Sequence, residues 1–149
     1  MIFQKVYPPF WLLLAAFLMW SFDHWLPIKE LFPEVVGYGG IGLICLAVAN
    51  DLFCAYLFRR HQTTIFPFKD SSNLISSGTF RISRNPIYLS MVLILIGWWL
   101  WLGSLTPVAI IPFFVTFIQE LFIKPEEAML TEKFGKEYEE YAVSVRRWL

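Results

Sequence analysis

Long apolar runs broken by short polar stretches set the pattern of this chain. Val6 to Phe22 carries no charge, and with Asp23-His24-Trp25-Leu26 it is long enough to cross a hydrocarbon layer of roughly 30 Å. Pro8-Pro9 suit the first turn of a helix and Pro27 its end, which sets a span at 8–26. A second run from Glu34 to Phe58, closed by Arg59-Arg60-His61, gives a span over 35–58. Asn85 to Gln119 is again free of charge, interrupted at Gly103-Ser104-Leu105-Thr106-Pro107, which reads as a tight turn. Pro86 suits a first helical position, so the third span runs 86–102 and the fourth 107–123. The tail differs in kind. Leu130, Phe134, Tyr138, Tyr141 and Val145 recur at spacings of 4, 4, 3 and 4, an apolar stripe on a charged helix over 125–145. Pro125 is expected to break this helix from the fourth span and Gly135 to bend it. The stripe should lie on the membrane surface or pack over the polar loop 59–85.

The fold class that follows is an all-α integral membrane protein, a single domain over 1–149 with about four transmembrane helices and a cytoplasmic amphipathic tail helix. Composition agrees: 57% hydrophobic, 19% aromatic and 16% charged residues exceed what one soluble core of this size could hide. The formal net charge is zero, so no field for nucleic acid exists. Lys and Arg are unevenly placed. Arg59, Arg60, Lys69, Arg81 and Arg84 follow the second span, and Lys124, Lys133, Lys136, Arg146 and Arg147 lie in the tail. The other connections offer Lys29 alone. The positive-inside rule then puts the loop and both termini in the cytoplasm, as in a bacterial or archaeal inner membrane. The N-terminus lacks a basic region with a cleavage site, so its apolar run reads as a retained span.

Cys45 and Cys54, nine residues apart, fall on opposite faces of one helix and cannot bridge each other. With His24 and His61 the only histidines, no cluster has metal-ligand spacing, and no metal is expected. Gly37-Tyr38-Gly39-Gly40-Ile41-Gly42 satisfies G-x-G-x-x-G literally but lacks the strand that motif requires. It reads as a helix surface that admits a close neighbour.

A hairpin of two spans returns its ends to one membrane face. Arg84-Asn85-Pro86-Ile87-Tyr88 would then lie near Glu120, Glu126 and Glu127. Each also has an ordinary role. Glu126 and Glu127 suit a helix N-terminus, Arg84 a membrane anchor, Tyr88 an interfacial aromatic belt, and Asn85 a helix cap. Glu120 could simply pair with Lys124, although an ionisable group at that depth usually faces an interior or aqueous cavity. Asp51 is a weaker candidate on the same logic. Asp23 and His24 read as interfacial, and Arg146 and Arg147 as tail anchors.

Gly78-Thr79-Phe80-Arg81, Arg84-Asn85-Pro86-Ile87-Tyr88, Glu126-Glu127-x-x-Leu130, Phe134-Gly135-x-x-Tyr138-x-x-Tyr141 and Arg147-Trp148 together resemble the isoprenylcysteine carboxyl methyltransferase and phospholipid methyltransferase superfamily. The resemblance covers roughly Thr64 to Trp148. It implies a membrane methyltransferase that uses S-adenosyl-L-methionine on the cytoplasmic side and a lipophilic small-molecule substrate from the bilayer. Carried over by position, it implies cofactor binding at Arg84, Asn85, Pro86, Tyr88, Glu126 and Glu127, with Arg84, Tyr88 and Glu120 as catalytic candidates. Histidine is common in that family where this chain has Asn85, and glycine where it has Ser90. Such a cofactor needs acids for its amino group and a cation or amide donor for its carboxylate. A carboxylate acceptor would need no base, whereas an amine, alcohol or thiol would be helped by one, with Glu120 or Glu127 the nearest candidates. An NADPH-dependent reductase of the membrane sterol type, which carries a similar Arg-His-Pro-x-Tyr element, is the alternative enzyme. A membrane scaffold whose polar ends only set topology is the non-enzymatic one.

Overall fold

The computed structural model describes residues 7–26, 28–62 and 73–149. Pro27, expected to close the first span, and Lys69 and Asp70 of the polar loop lie outside the described residues. Every regular element among the described residues is helical. Helix α1, Pro8–Trp25, opens on prolines whose missing N–H groups a first turn does not need. Helix α2 is Glu34–Arg60, and α3, Pro86–Leu102, likewise starts on a proline and stops at Gly103.

From Thr106 to Phe134 the chain is one continuous helical rod. It comprises a 3-10 turn at Thr106–Ala109, α4 at Ile110–Ile118, a widened π turn at Gln119–Ile123 and α5 at Lys124–Phe134. Pro125 therefore does not break the rod, contrary to the sequence expectation. In a regular helix its ring would strike the carbonyl four residues back, and the wider turn just before it gives that carbonyl room. The break falls at Gly135 instead, whose φ of +53° and ψ of −125° suit glycine alone. Helix α6, Lys136–Ser144, starts afresh, so the single tail helix expected over 125–145 is two helices.

Among the described residues two rods, Glu34–Arg60 and Thr106–Phe134, are long and apolar enough to cross a bilayer, their most apolar 18 residues having mean hydropathies of 2.0 and 1.8. Helix α3 is apolar throughout but has 17 residues.

Helix α3 is the centre of the packing. On one side α2 lies along it so closely that a Cβ on Gly97 would sit 2.5 Å from the Gly40 carbonyl oxygen. The glycine-rich surface of α2 thus does what its composition suggested, through Gly37 and Gly40. On the other side Ala15 and Met19 of α1, Met91 and Leu95 of α3, and Phe114 and Ile118 of α4 form the main core, continued by Phe122 and Ile123 of the π turn. A second core joins Cys54 and Leu57 near the end of α2 to Ile75, Phe80, Tyr138 and Tyr141. Leu130, Phe134 and Val145 pack against it, so the tail stripe covers the loop at Leu74, Ile75 and Phe80.

At the far end of α3 the two short connections are stitched together. Leu31 N–H donates to the Gly103 carbonyl at 2.8 Å, Leu105 N–H to that of Lys29 at 2.9 Å, and the Ser104 hydroxyl to Asp23 at 2.5 Å. The near end, between the two cores, holds the candidate site.

Candidate functional site

The rigid start of α3 fixes the first group of side chains. Pro86 sets the first helical residue, and Leu89 N–H closes the first turn on the Asn85 carbonyl at 2.9 Å. From α2, Asn50 Nδ2 donates to the Ser90 hydroxyl (2.8 Å) and the Pro86 carbonyl (3.2 Å), which ties the two helices at that level. Tyr88, one turn in, then points its hydroxyl at α5 and donates to Glu126 Oε2 at 3.0 Å. The two ends of the apolar hairpin therefore meet, as the sequence pattern required. Arg84 reaches the next acid, with its Nη2 3.4 Å from Glu127 Oε1.

The C-terminal segment supplies the rest. Arg147 clamps Glu127 through Nε (3.0 and 3.1 Å) and Nη2 (2.6 Å). Its carbonyl accepts from Ser83 Oγ (3.2 Å) and Asn85 Nδ2 (3.1 Å), and the Arg146 carbonyl accepts from Arg84 N–H (3.0 Å). Trp148 Nε1 donates to Gln119 in the π turn at 3.0 Å. Residues 145–149 thus form a strap over the loop 83–85, and Glu127 sits between two guanidinium groups.

Two cavities adjoin here. The larger, about 240 Å³, is mostly apolar: Pro8 and Pro9 of α1, Phe58 of α2, and Ile87 and Met91 of α3 wall it, with Tyr88 and Glu126 on its rim. The smaller, about 60 Å³, lies toward the tail among Asn73, Glu127, Tyr138 and Tyr141. Arg84, Asn85 and Glu126 line both, as do Phe58 and Phe80.

The charge-free stretch of the long rod ends at Gln119, and Glu126 and Glu127 lie beyond its last apolar residues, Leu121–Ile123. Burial pushes the Glu126 carboxyl up to about 7, opposed by the Tyr88 hydrogen bond and aided by the charge of Glu127. The Arg147 guanidinium is held above its ordinary range by its hydrogen bonds to Glu127. Burial raises Tyr138 to about 12. Two features stand unmatched: Arg84 Nε is buried with no hydrogen-bond partner, and Glu126, unlike its neighbour, has no ion pair among the described residues.

Of the residues singled out from sequence, Arg84, Asn85, Pro86, Tyr88, Glu126 and Glu127 come together. Glu120 does not. It is exposed, pairs with Lys124 at 2.6 Å and lines neither cavity. In an unbroken α-helix Glu120 and Glu127, seven residues apart, would share a face; the π turn at Gln119–Ile123, with more residues per turn, shifts that register. Asn85 makes no side-chain cap to α3, because its amide holds the strap. Asp51 lies beside Ser90 with Oδ1 unpartnered and lines neither cavity. Asp23 belongs to the far-end stitch, and His24 stacks on Trp20. Arg147, read as a tail anchor, is instead a wall of the charged cluster. Phe58, Phe80 and Tyr138 were not foreseen as lining; Phe80 and Tyr138 stood in the motifs that carry the resemblance, whereas Phe58 carried no signal beyond an apolar helix.

A family model described as phospholipid methyltransferase matches residues 35–137. A protein of Haemophilus influenzae described as uncharacterized is 44% identical over 63 residues, which are 42% of this chain and 100% of that protein. Two rice proteins, from Oryza sativa subsp. indica and japonica, are described as probable protein-S-isoprenylcysteine O-methyltransferase. Each is 29% identical over 130 residues, 80% of this chain and 66% of the rice protein. No solved structure matches the chain.

Proposed function

The chain belongs to the phospholipid methyltransferase family, and on that premise we propose that it transfers a methyl group from S-adenosylmethionine to a lipophilic acceptor at the cytoplasmic membrane face. The observation that carries the reading is the junction of an apolar cavity and a polar one at Arg84, Asn85 and Glu126. Together the two approach the lower end of the roughly 300–1,000 Å³ usual for small-molecule sites. The unfilled Arg84 Nε suits a carboxylate, and the acids beside it suit cationic groups, as a zwitterionic sulfonium cofactor requires. That cofactor supplies the electrophilic methyl group. Arg84, with Glu127 and Arg147, would hold its amino-acid end in the polar cavity, while the apolar cavity takes the acceptor's hydrocarbon part.

Methyl transfer from a sulfonium is an in-line displacement, so the protein mainly has to align nucleophile, methyl carbon and sulfur and exclude water. The fixed start of α3 supports alignment. Pro86, Phe80 and Met91, all buried, support exclusion. Four crossings, with loop, tail and both termini on the cytoplasmic side, accord with the placement of Lys and Arg.

Calorimetry on detergent-purified protein tests this directly. Adenosylhomocysteine should bind, NADPH should not, and Tyr88→Phe and Glu127→Ala should weaken adenosylhomocysteine by about tenfold or more while melting as cooperatively as wild type. Selective NADPH binding would transfer the reading to a reductase, and binding of neither would leave a scaffold.

A further inference from the structure

Helices α2 and α3 touch through glycines at one level and through polar side chains at another, behind the site. At that second level α2 carries Asn50 and Asp51, the acid lying nine residues, or about 13 Å, before Arg60. Asn50 places one amide proton on the Ser90 hydroxyl (2.8 Å) and the other on the Pro86 carbonyl (3.2 Å). Ser90 gives its own hydroxyl proton to the same carbonyl at 3.1 Å. Pro86 opens α3, and Tyr88 follows two residues on. Asp51 adjoins the Ser90 hydroxyl. Its Oδ1 is buried without a hydrogen-bond partner, and it has no ion pair among the described residues. Cys54, three residues further along α2, is turned to the Thr79 hydroxyl at 3.4 Å.

An ionised carboxylate only accepts hydrogen bonds, so a charged Asp51 would need donors. The two Asn50 protons and the Ser90 proton are already placed elsewhere. A charge left without donors or a cation inside an apolar rod is costly, and a neutral carboxyl avoids that cost. A neutral carboxyl also has a proton to give. Its acceptor is Ser90 Oγ, which has two lone pairs and receives Asn50 on one of them. We propose that Asp51 is held protonated, donates to Ser90, and is thereby a positioning residue for Tyr88. Asp51, Asn50 and Ser90 form a latch from α2 onto the first turn of α3, the turn that aims the Tyr88 hydroxyl at Glu126. Asp51 lines neither cavity, so it acts on the site only through α3. The service of the latch to cofactor binding rests on the methyltransferase reading above; the proton and the latch themselves do not.

Infrared difference spectra of detergent-purified wild type against Asp51→Asn at neutral pH test the proton; the other acids are common to both and cancel. Expected is the carbonyl stretch of a protonated carboxyl, absent from the variant and moved to higher frequency in Ser90→Ala, where its acceptor is gone. Carboxylate stretches in its place, or a band that Ser90→Ala leaves unmoved, would overturn the proposal. The latch is read by comparing Asp51→Asn, which keeps a neutral donor at that place, with Asp51→Leu, which keeps the bulk alone. Amide exchange over residues 86–92 should quicken in Asp51→Leu and stay at the wild-type rate in Asp51→Asn. Adenosylhomocysteine should bind Asp51→Asn within about threefold of wild type and Asp51→Leu about tenfold or more weakly. Equal behaviour of the two variants, by exchange or by binding, would overturn the positioning role. A wild type that does not bind adenosylhomocysteine removes the methyltransferase reading instead, while the spectra and the exchange still decide the proton and the latch.

Discussion

Asn85 illustrates what a motif leaves unsaid about a residue. Its position ahead of Pro86 was legible, and so was its place at the mouth of the site; its partner, the Arg147 carbonyl 62 residues on, was not. No periodicity connects a loop to an extended strap. The same holds for Arg147, whose side chain could as well have faced water. Glu126 permits a prediction at this scale. Its carboxyl titrates near 7 in the fold against an ordinary 4.5, so between those values the folded chain holds a proton that the unfolded chain has released. Stability from this group is therefore greatest at low pH and falls as pH rises from about 4.5 to about 7. Thermal melts of the detergent-solubilised protein should show wild type losing ground to Glu126→Gln across that window. Melting curves that stay parallel would mean an acid that ionises normally.

Element boundaries were the most legible part of the fold, because prolines at 8 and 86 and the polar turn after Leu102 mark them chemically. The π turn was not legible. It needs no particular residue in its own span, yet it absorbs Pro125 and turns Glu120 away from Glu127. Seven-residue spacing alone would have placed those acids on one face, two turns apart. The contact between α2 and α3 is a second property of elements rather than residues. Gly97→Ala would drive a methyl into the Gly40 carbonyl and should destabilise by about 1–3 kcal/mol. Gly39→Ala, which meets open space, should stay within about 0.5 kcal/mol of wild type. Equal melting temperatures for the two variants would show that the helices do not approach as closely as described.

Across the whole molecule, the covered tail stripe and the apolar rods leave one polar end beside the site and another at the far connections. If loop and tail share the cytoplasm, a membrane-impermeant maleimide should label Glu137→Cys only from that side and Lys29→Cys only from the other, in a background with Cys45 and Cys54 replaced. Labelling of both from one side would reverse the proposed topology. The far-end stitch has a mechanical consequence as well. Because Leu31, Gly103, Lys29 and Leu105 pin the tops of the helices to one another, the bundle resembles a sprung clothes-peg whose pivot lies at those connections. At the opposite end the strap of residues 145–149 is the clasp, and Asn50 keeps α2 tied there to Pro86 and Ser90 of α3.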